Sequence, residues 1–143
     1  MLARTLLFGV FFLAGCGMTD PAEGFQAGRN RWNSLGIVDY RFDLSRGCEC
    51  LPVGAVRIVV EDGVVVSRTV LATGEPLEAS LAPHYPDIPG LFDLVDDAYR
   101  RAIDVRVTFD EQYGYPRSAR IDYFEGPDDE ITLAVTEFAA VQE

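Results

Sequence analysis

Five carboxylates of the type that holds a hard cation sit late in the chain: Asp110, Asp122 and the unbroken run Asp128-Asp129-Glu130. Calcium takes six to eight oxygens from carboxylates, carbonyls and water. Three acids in a row supply two or three of them. Asp110 and Asp122 add more if their strands bring them to the same loop. Such a site would serve a cation-dependent enzyme, or a Ca²⁺-stabilised module without turnover. The spacing is not that of an EF-hand loop, and the same acids suit a solvated turn whose side chains accept from backbone amides. Other reactive types are sparse. His84 is the one histidine and lies between Pro83 and Tyr85 in a loop. A Ser-His-Asp triad needs an activated nucleophile beside its base, and no G-x-S-x-G sequence supplies one. Asp96 and Asp97 are neighbours on an expected helix, not opposed across a cleft as a glycosidase pair is. Lysine is absent, which excludes Schiff-base chemistry on that side chain.

Cys48 and Cys50 flank Glu49. In an extended strand their α-carbons would lie about 6.5–7 Å apart, at the limit of unstrained disulfide geometry. A bond between them needs a bend, which Gly47 and Pro52 make available. Both states stay open at this point, a disulfide and two separate thiols. The spacing is not the C-x-x-C of thioredoxin-like proteins, and two thiols are too few for a structural zinc site. The aromatics offer a further surface. Tyr113 and Tyr115 with Arg117 and Arg120 form a candidate contact patch for a protein partner. The alternative is that Tyr115 and Tyr123 pack inward while Gly114 and Pro116 shape a turn. Trp32 reads as a core anchor between the first helix and the sheet.

The amino terminus carries one base, Arg4, and then an apolar run from Leu6 to Ala14. A bilayer-spanning helix needs about 20 apolar residues, so this run has the length of a signal-peptide core instead. Leu13-Ala14-Gly15-Cys16 resembles the lipobox of bacterial lipoproteins. In that class the Cys16 thiol would take a diacylglycerol group, and cleavage would fall just before it. Small residues at 14 and 15 suit entry into the peptidase, and each buried methylene of the lipid adds about 0.8 kcal/mol to anchorage. The resemblance implies residues 1–15 as signal peptide, 16–22 as lipidated cysteine and tether, and 23–143 as the folded domain. Gly17 stands where an Asp would signal inner-membrane retention. The implied address is therefore the cell envelope, on the outer membrane facing the periplasm if the cell is Gram-negative.

The remaining 128 residues suffice for one domain. The net charge of −11 becomes −12 once residues 1–15, with one arginine and no acid, are removed. A phosphate backbone rewards the opposite sign, so nucleic acid is excluded as a partner.

The elements that must position these side chains read clearly. Asp20-Pro21 caps a helix that carries Ala22, Phe25, Arg29, Trp32 and Leu35 on one side and stops at Gly36, with Gly24 and Gly28 weakening it. Val38, Tyr40, Phe42 and Leu44 alternate as a strand. Two β-branched runs flank Asp62-Gly63, the signature of a two-residue hairpin. A loop rich in Gly and Pro spans 73–90. Ile88, Leu91, Phe92, Val95, Tyr99 and Ala102 then give a helical stripe over about 88–102, capped by Asp87. Three strands close the chain, carried by Val105, Val107 and Phe109, by Ile121 and Tyr123, and by Ile131, Leu133 and Val135. The expected fold is α+β: an antiparallel sheet of about six strands with two helices on one face, in the order αβββ-αβββ.

Several pieces then coincide in order: the lipobox, Trp32-Asn33, Tyr40-Arg41-Phe42, Cys48-x-Cys50, Val59-Val60-Glu61-Asp62-Gly63, Leu91-Phe92-Asp93, Val107-x-Phe109-Asp110, Tyr113-Gly114-Tyr115-Pro116, Asp122 and Asp128-Asp129-Glu130. In these the chain resembles the DUF6174 family of predicted bacterial lipoproteins over about residues 25–138. That resemblance implies an envelope setting and no reaction. The αβββ doubling is also similar to the small envelope folds of the β-lactamase-inhibitor-protein and BamE-like kinds, an analogy of fold alone. The functional expectation is a lipid-anchored, non-catalytic binding or structural accessory module, tied to the membrane through Cys16 and facing an envelope protein. The alternative is a cation-dependent enzyme or Ca²⁺-stabilised module built on the acids at 110, 122 and 128–130.

Overall fold

The computed structural model describes residues 21–47, 53–125 and 130–141. Helix α1 runs Pro21–Leu35, followed by strands β1 (Tyr40–Gly47), β2 (Val56–Glu61) and β3 (Val64–Val70). A 3-10 turn at Ala79–His84 leads to helix α2 (Ile88–Arg101) and then to β4 (Asp104–Phe109), β5 (Pro116–Asp122) and β6 (Glu130–Ala140). The strands form one six-stranded sheet in the order β3-β2-β1-β6-β5-β4, every pairing antiparallel. The expected α+β class and the αβββ-αβββ order are what the chain adopts. The first and last strands meet at the centre, so neither half of the sheet closes without the other.

Alternation decides which face is covered. Tyr40, Phe42 and Leu44 of β1 stand opposite Val60, Ile58 and Val56 of β2, and all six are buried. Leu133, Val135, Ala119 and Ile121 continue that face through β6 and β5. Phe25 and Trp32 of α1 and Leu91, Phe92, Val95 and Ala98 of α2 close over it as one core. The other face carries Arg41, Asp43, Arg57, Arg106, Thr108, Ser118, Arg120 and Thr132, polar as a solvated sheet face should be. Asp43 is the exception, buried there but held by a two-pronged ion pair from its register partner Arg57 at 2.7 and 2.8 Å.

Three local devices set the register. The β2–β3 turn places Asp62 at φ 51° and Gly63 at 74°, the two positive angles that a two-residue hairpin requires. Asp87 caps α2 by accepting from the Gly90 amide at 2.9 Å, while the α2 ladder is closed at its far end by Ala102 donating to Ala98. Finally, the β1–β6 register shifts between Arg41 and Asp43, where Glu137 takes a φ of 51°. That inserted residue is a bulge, and it brings Phe138 onto the same covered face as Val135.

Two expectations are corrected. Val38 does not continue the inward face of β1; it is 48 % exposed. Its carbonyl accepts from the Gly63 amide at 2.9 Å, which holds it outside the strand beside the hairpin tip. The expected α1 stripe is exposed at both ends, at Ala22 and at Leu35, which is 47 % exposed; its buried row is Phe25, Gly28 and Trp32.

Candidate functional site

One end of the sheet gathers exposed aliphatic side chains around a cleft of about 460 Å³, within the range of small-ligand and peptide sites. Three elements build it. The end of α1 supplies Leu35, the β4–β5 turn supplies Gln112 and Tyr113, and the tail of β6 supplies Ala140 and Val141. The α1–β1 link closes it with Ile37, Val38 and Asp39. Val141 is 63 % exposed, so with Leu35 and Val38 three of the large exposed apolar residues edge this one cleft. A second groove of about 370 Å³ adjoins it, sharing Asp39 and Val141 and reaching Arg41, Val59 and Glu61.

The walls are fixed by backbone bonds. Asp39 accepts the Val141 amide on its carbonyl at 2.8 Å and the Asp62 amide on its carboxylate at 2.8 Å. The Arg31 Nε donates to the Gln112 carbonyl at 2.6 Å, clamping the helix to the turn. Behind the cleft lies an aromatic stack. Phe138 meets Tyr113 at 4.8 Å and Tyr115 at 4.7 Å between centroids, and Trp32 meets Phe138 at 5.9 Å and Tyr40 at 5.3 Å. Aromatic pairs of this kind contribute about 0.5–1.5 kcal/mol each beyond the area they bury. The arrangement offers a rigid apolar rim with carbonyl, amide and guanidinium groups between the apolar positions.

The residues singled out by sequence fall elsewhere. Asp110 is a turn residue: its Oδ1 accepts from the amides of Gln112 at 2.9 Å and Tyr113 at 2.8 Å. Asp122 stands at the opposite end of the β4–β5 hairpin, opposite Asp104 on β4 and Glu130 on β6. The structure thus brings Asp122 and Glu130 together and leaves Asp110 about six strand residues away, roughly 20 Å at the rise of a strand. Like charges directly opposite are unfavourable. The neighbouring row answers them, with Arg106 on Asp104 at 3.1 Å and Arg120 paired to Glu130. Among the described residues no group of three or more His, Cys, Asp or Glu side chains is placed to hold a metal ion. Asp128, Asp129, Cys16, Cys48 and Cys50 lie outside the described residues.

The tyrosine–arginine patch is divided. Tyr115 is 5 % exposed and belongs to the core, Tyr113 is half-buried beneath the cleft, Arg117 is exposed, and Arg120 faces the opposite side of the sheet. His84 is half-buried, and its carbonyl accepts from Arg46 Nη1 at 3.3 Å. Sequence reading missed the cleft itself. Leu35 and Val38 matched the apolar periodicity of their elements, and nothing in that pattern marks the place where a helix stops covering the sheet.

Burial of Tyr115 predicts an alkaline response. Burial, reinforced by the Asp110 carboxylate, pushes its phenol up to about 12, against about 10 in an unfolded chain. The unfolded state therefore releases the proton first. Stability from this group is intact below pH 10, erodes above it, and is lost by about pH 12. Tyr40 is pushed in the same direction by burial, with the Asp87 carboxylate adding to it. Tyr115→Phe is expected to make the pH 10–12 limb of a urea-unfolding series shallower by up to one proton; an unchanged slope would contradict the assignment.

A family model described as a family of unknown function, DUF6174, matches residues 24–140. No curated protein and no solved structure matches the chain.

Proposed function

The chain belongs to the DUF6174 family, and from that premise we propose that it is a lipid-anchored accessory protein of the cell envelope, a non-catalytic binding or structural module. The observation that carries this reading is the exposed aliphatic rim of Leu35, Val38 and Val141 around one cleft on a chain of net charge −11. An acidic surface keeps such a body in water and away from nucleic acid, while the aliphatic rim of a cleft with mixed lining is where a partner's apolar side chains lose their hydration. Lipid on Cys16 supplies the membrane contact. Five peptide steps separate Cys16 from Pro21, a reach of at most about 18 Å. Phe25, one turn into α1, packs edge-on against Phe109 of β4 at 6.4 Å. With lipid on Cys16, the anchor would join the domain at the start of α1, whose Phe25 packs on β4.

Replacing Cys16 with serine tests the address. The expected result is precursor of unprocessed size without lipid; unaltered membrane fractionation and unaltered size would overturn it. The binding role is tested by affinity capture from detergent-solubilised envelopes with Val38→Asp as control. That side chain is exposed, so the melting temperature should hold while a specific partner is lost. No reproducible partner, together with turnover of a substrate that Asp122→Ala abolishes, would favour the cation-dependent enzyme instead.

A further inference from the structure

We propose that the open end of β3, Val64 to Ser67, docks an extended basic segment of a partner protein by strand addition. This deepens the reading of the chain as a binding module and names a surface and a partner chemistry for it. β3 is an edge strand, and its outer side is occupied for half its length. The chain folds back so that Leu77 donates to the Arg68 carbonyl at 2.9 Å and Val70 donates to the Glu75 carbonyl at 2.9 Å, with a bridge from Thr69 to Pro76. The protein thereby performs strand addition on itself from Arg68 onward. Among the described residues nothing continues that pairing along Val64–Ser67. Val64 is 64 % exposed and Val66 52 %, and a cavity of about 400 Å³ lies alongside, lined by Val65, Val66, Ser67, Pro76, Leu77 and others. An exposed β-branched edge without a charged side chain is the template that strand addition uses. β3 has its own register shift opposite Val59 and Val60, which leaves Val66 as the extra residue; the other edge differs in that β4 presents the Asp104–Arg106 pair at 3.1 Å beside its shift at Thr108–Phe109.

Charge selects the occupant. Glu61 and Asp62 precede the open stretch, and Glu75 and Glu78 follow around the loop that ends it. The nearest base, Arg68, is turned inward to the Tyr85 carbonyl at 2.8 Å. A second copy would bring another net charge of −11 to an acidic edge. An incoming strand with arginine or lysine between apolar residues completes the ladder with its backbone and sets its charges against the acids.

The probe is a labelled peptide of alternating Arg and Val, compared with its Glu-Val counterpart, on the full-length protein in neutral detergent. The expected result is binding of the basic peptide alone, slowed amide exchange at 64–67, and at least tenfold weaker binding by Val66→Lys. Val64→Lys serves if that variant misfolds. Equal binding of both peptides, protection elsewhere such as 35–39, or insensitivity to the lysine variants would overturn it. So would a dimer that protects 64–67 without peptide, which assigns the edge to a second copy. If the peptide fails while Val38→Asp still abolishes envelope capture, this inference falls and the module reading stands; loss of both removes the reading as well.

Discussion

Gly114→Ala is expected to destabilise the domain by about 3 kcal/mol, from a left-handed backbone cost of roughly 1–2 kcal/mol and overpacking of about 1–3 kcal/mol. Gly114 holds a φ of +83°, and a methyl group there would lie 2.5 Å from the Gly28 carbonyl oxygen and 2.9 Å from the Arg31 Cβ. The converse substitution is the sharper test. A methyl on Gly28 would lie 2.6 Å from the Gly114 oxygen and 2.9 Å from the Phe109 ring. Alanine is the better helix former by about 1 kcal/mol, so on helix propensity alone Gly28→Ala should stabilise. The structure requires the opposite sign, because the obstacle is backbone and cannot rotate away. For a chain of this length about 1 kcal/mol moves the melting temperature by a few degrees, so Gly114→Ala should lower it by roughly 10 °C. Both variants strike one contact, and the double substitution should cost less than the sum. A Gly28→Ala protein more stable than the parent would mean that α1 does not rest on the β4–β5 turn as described.

That contact also shows where sequence reading stops. Gly28 reads as a flaw in a helix because propensity is a local quantity, whereas its use depends on a turn more than eighty residues later. The hairpin at Asp62-Gly63 was legible because two positive φ angles are written in two adjacent residues. The α2 stripe and its Asp87 cap were legible because a 3.6-residue period and a cap are local too. The same limit separates the acids. Asp122 and Glu130 are partners across β5 and β6, and Asp110 serves a turn. Composition lists them together, but strand direction decides that Asp110 lies at the far end. The cleft was invisible for a related reason. Leu35 and Val38 continue apolar patterns, and exposure arises because α1 ends at Gly36, φ +60°, before it covers the end of the sheet. The Phe138 position depends on one inserted residue at Glu137, which no alternation pattern announces.

Tyr85→Ala is expected to be the costliest single substitution in the long β3–α2 connection, at about 3–5 kcal/mol by analogy with other large aromatic truncations in a core. The 3-10 turn before it buries none of its own residues, whereas Tyr85 is fully buried. Its hydroxyl donates to the Val53 carbonyl at 2.9 Å, its carbonyl accepts from Arg68 at 2.8 Å, and its amide donates to Ala82 at 3.1 Å. The side chain thus pins the connection to the segment that leads into β2, while the backbone carbonyl of the same residue ties it to Arg68 of β3. Tyr85→Phe keeps the ring and removes only the donor, a loss of about 1 kcal/mol by the usual net worth of a hydrogen bond. The ratio of the two effects separates packing from hydrogen bonding. Position matters as much as size: Tyr85→Ala should raise amide exchange across residues 71–87 more than in β5 or β6, since the anchor of a segment opens that segment first. Denaturant unfolding gives the global cost and exchange gives its location. If Tyr85→Ala cost no more than Tyr85→Phe, the ring would not be the anchor, and the fold-back of Glu75 to Leu77 along β3 would have to be held by its own backbone bonds.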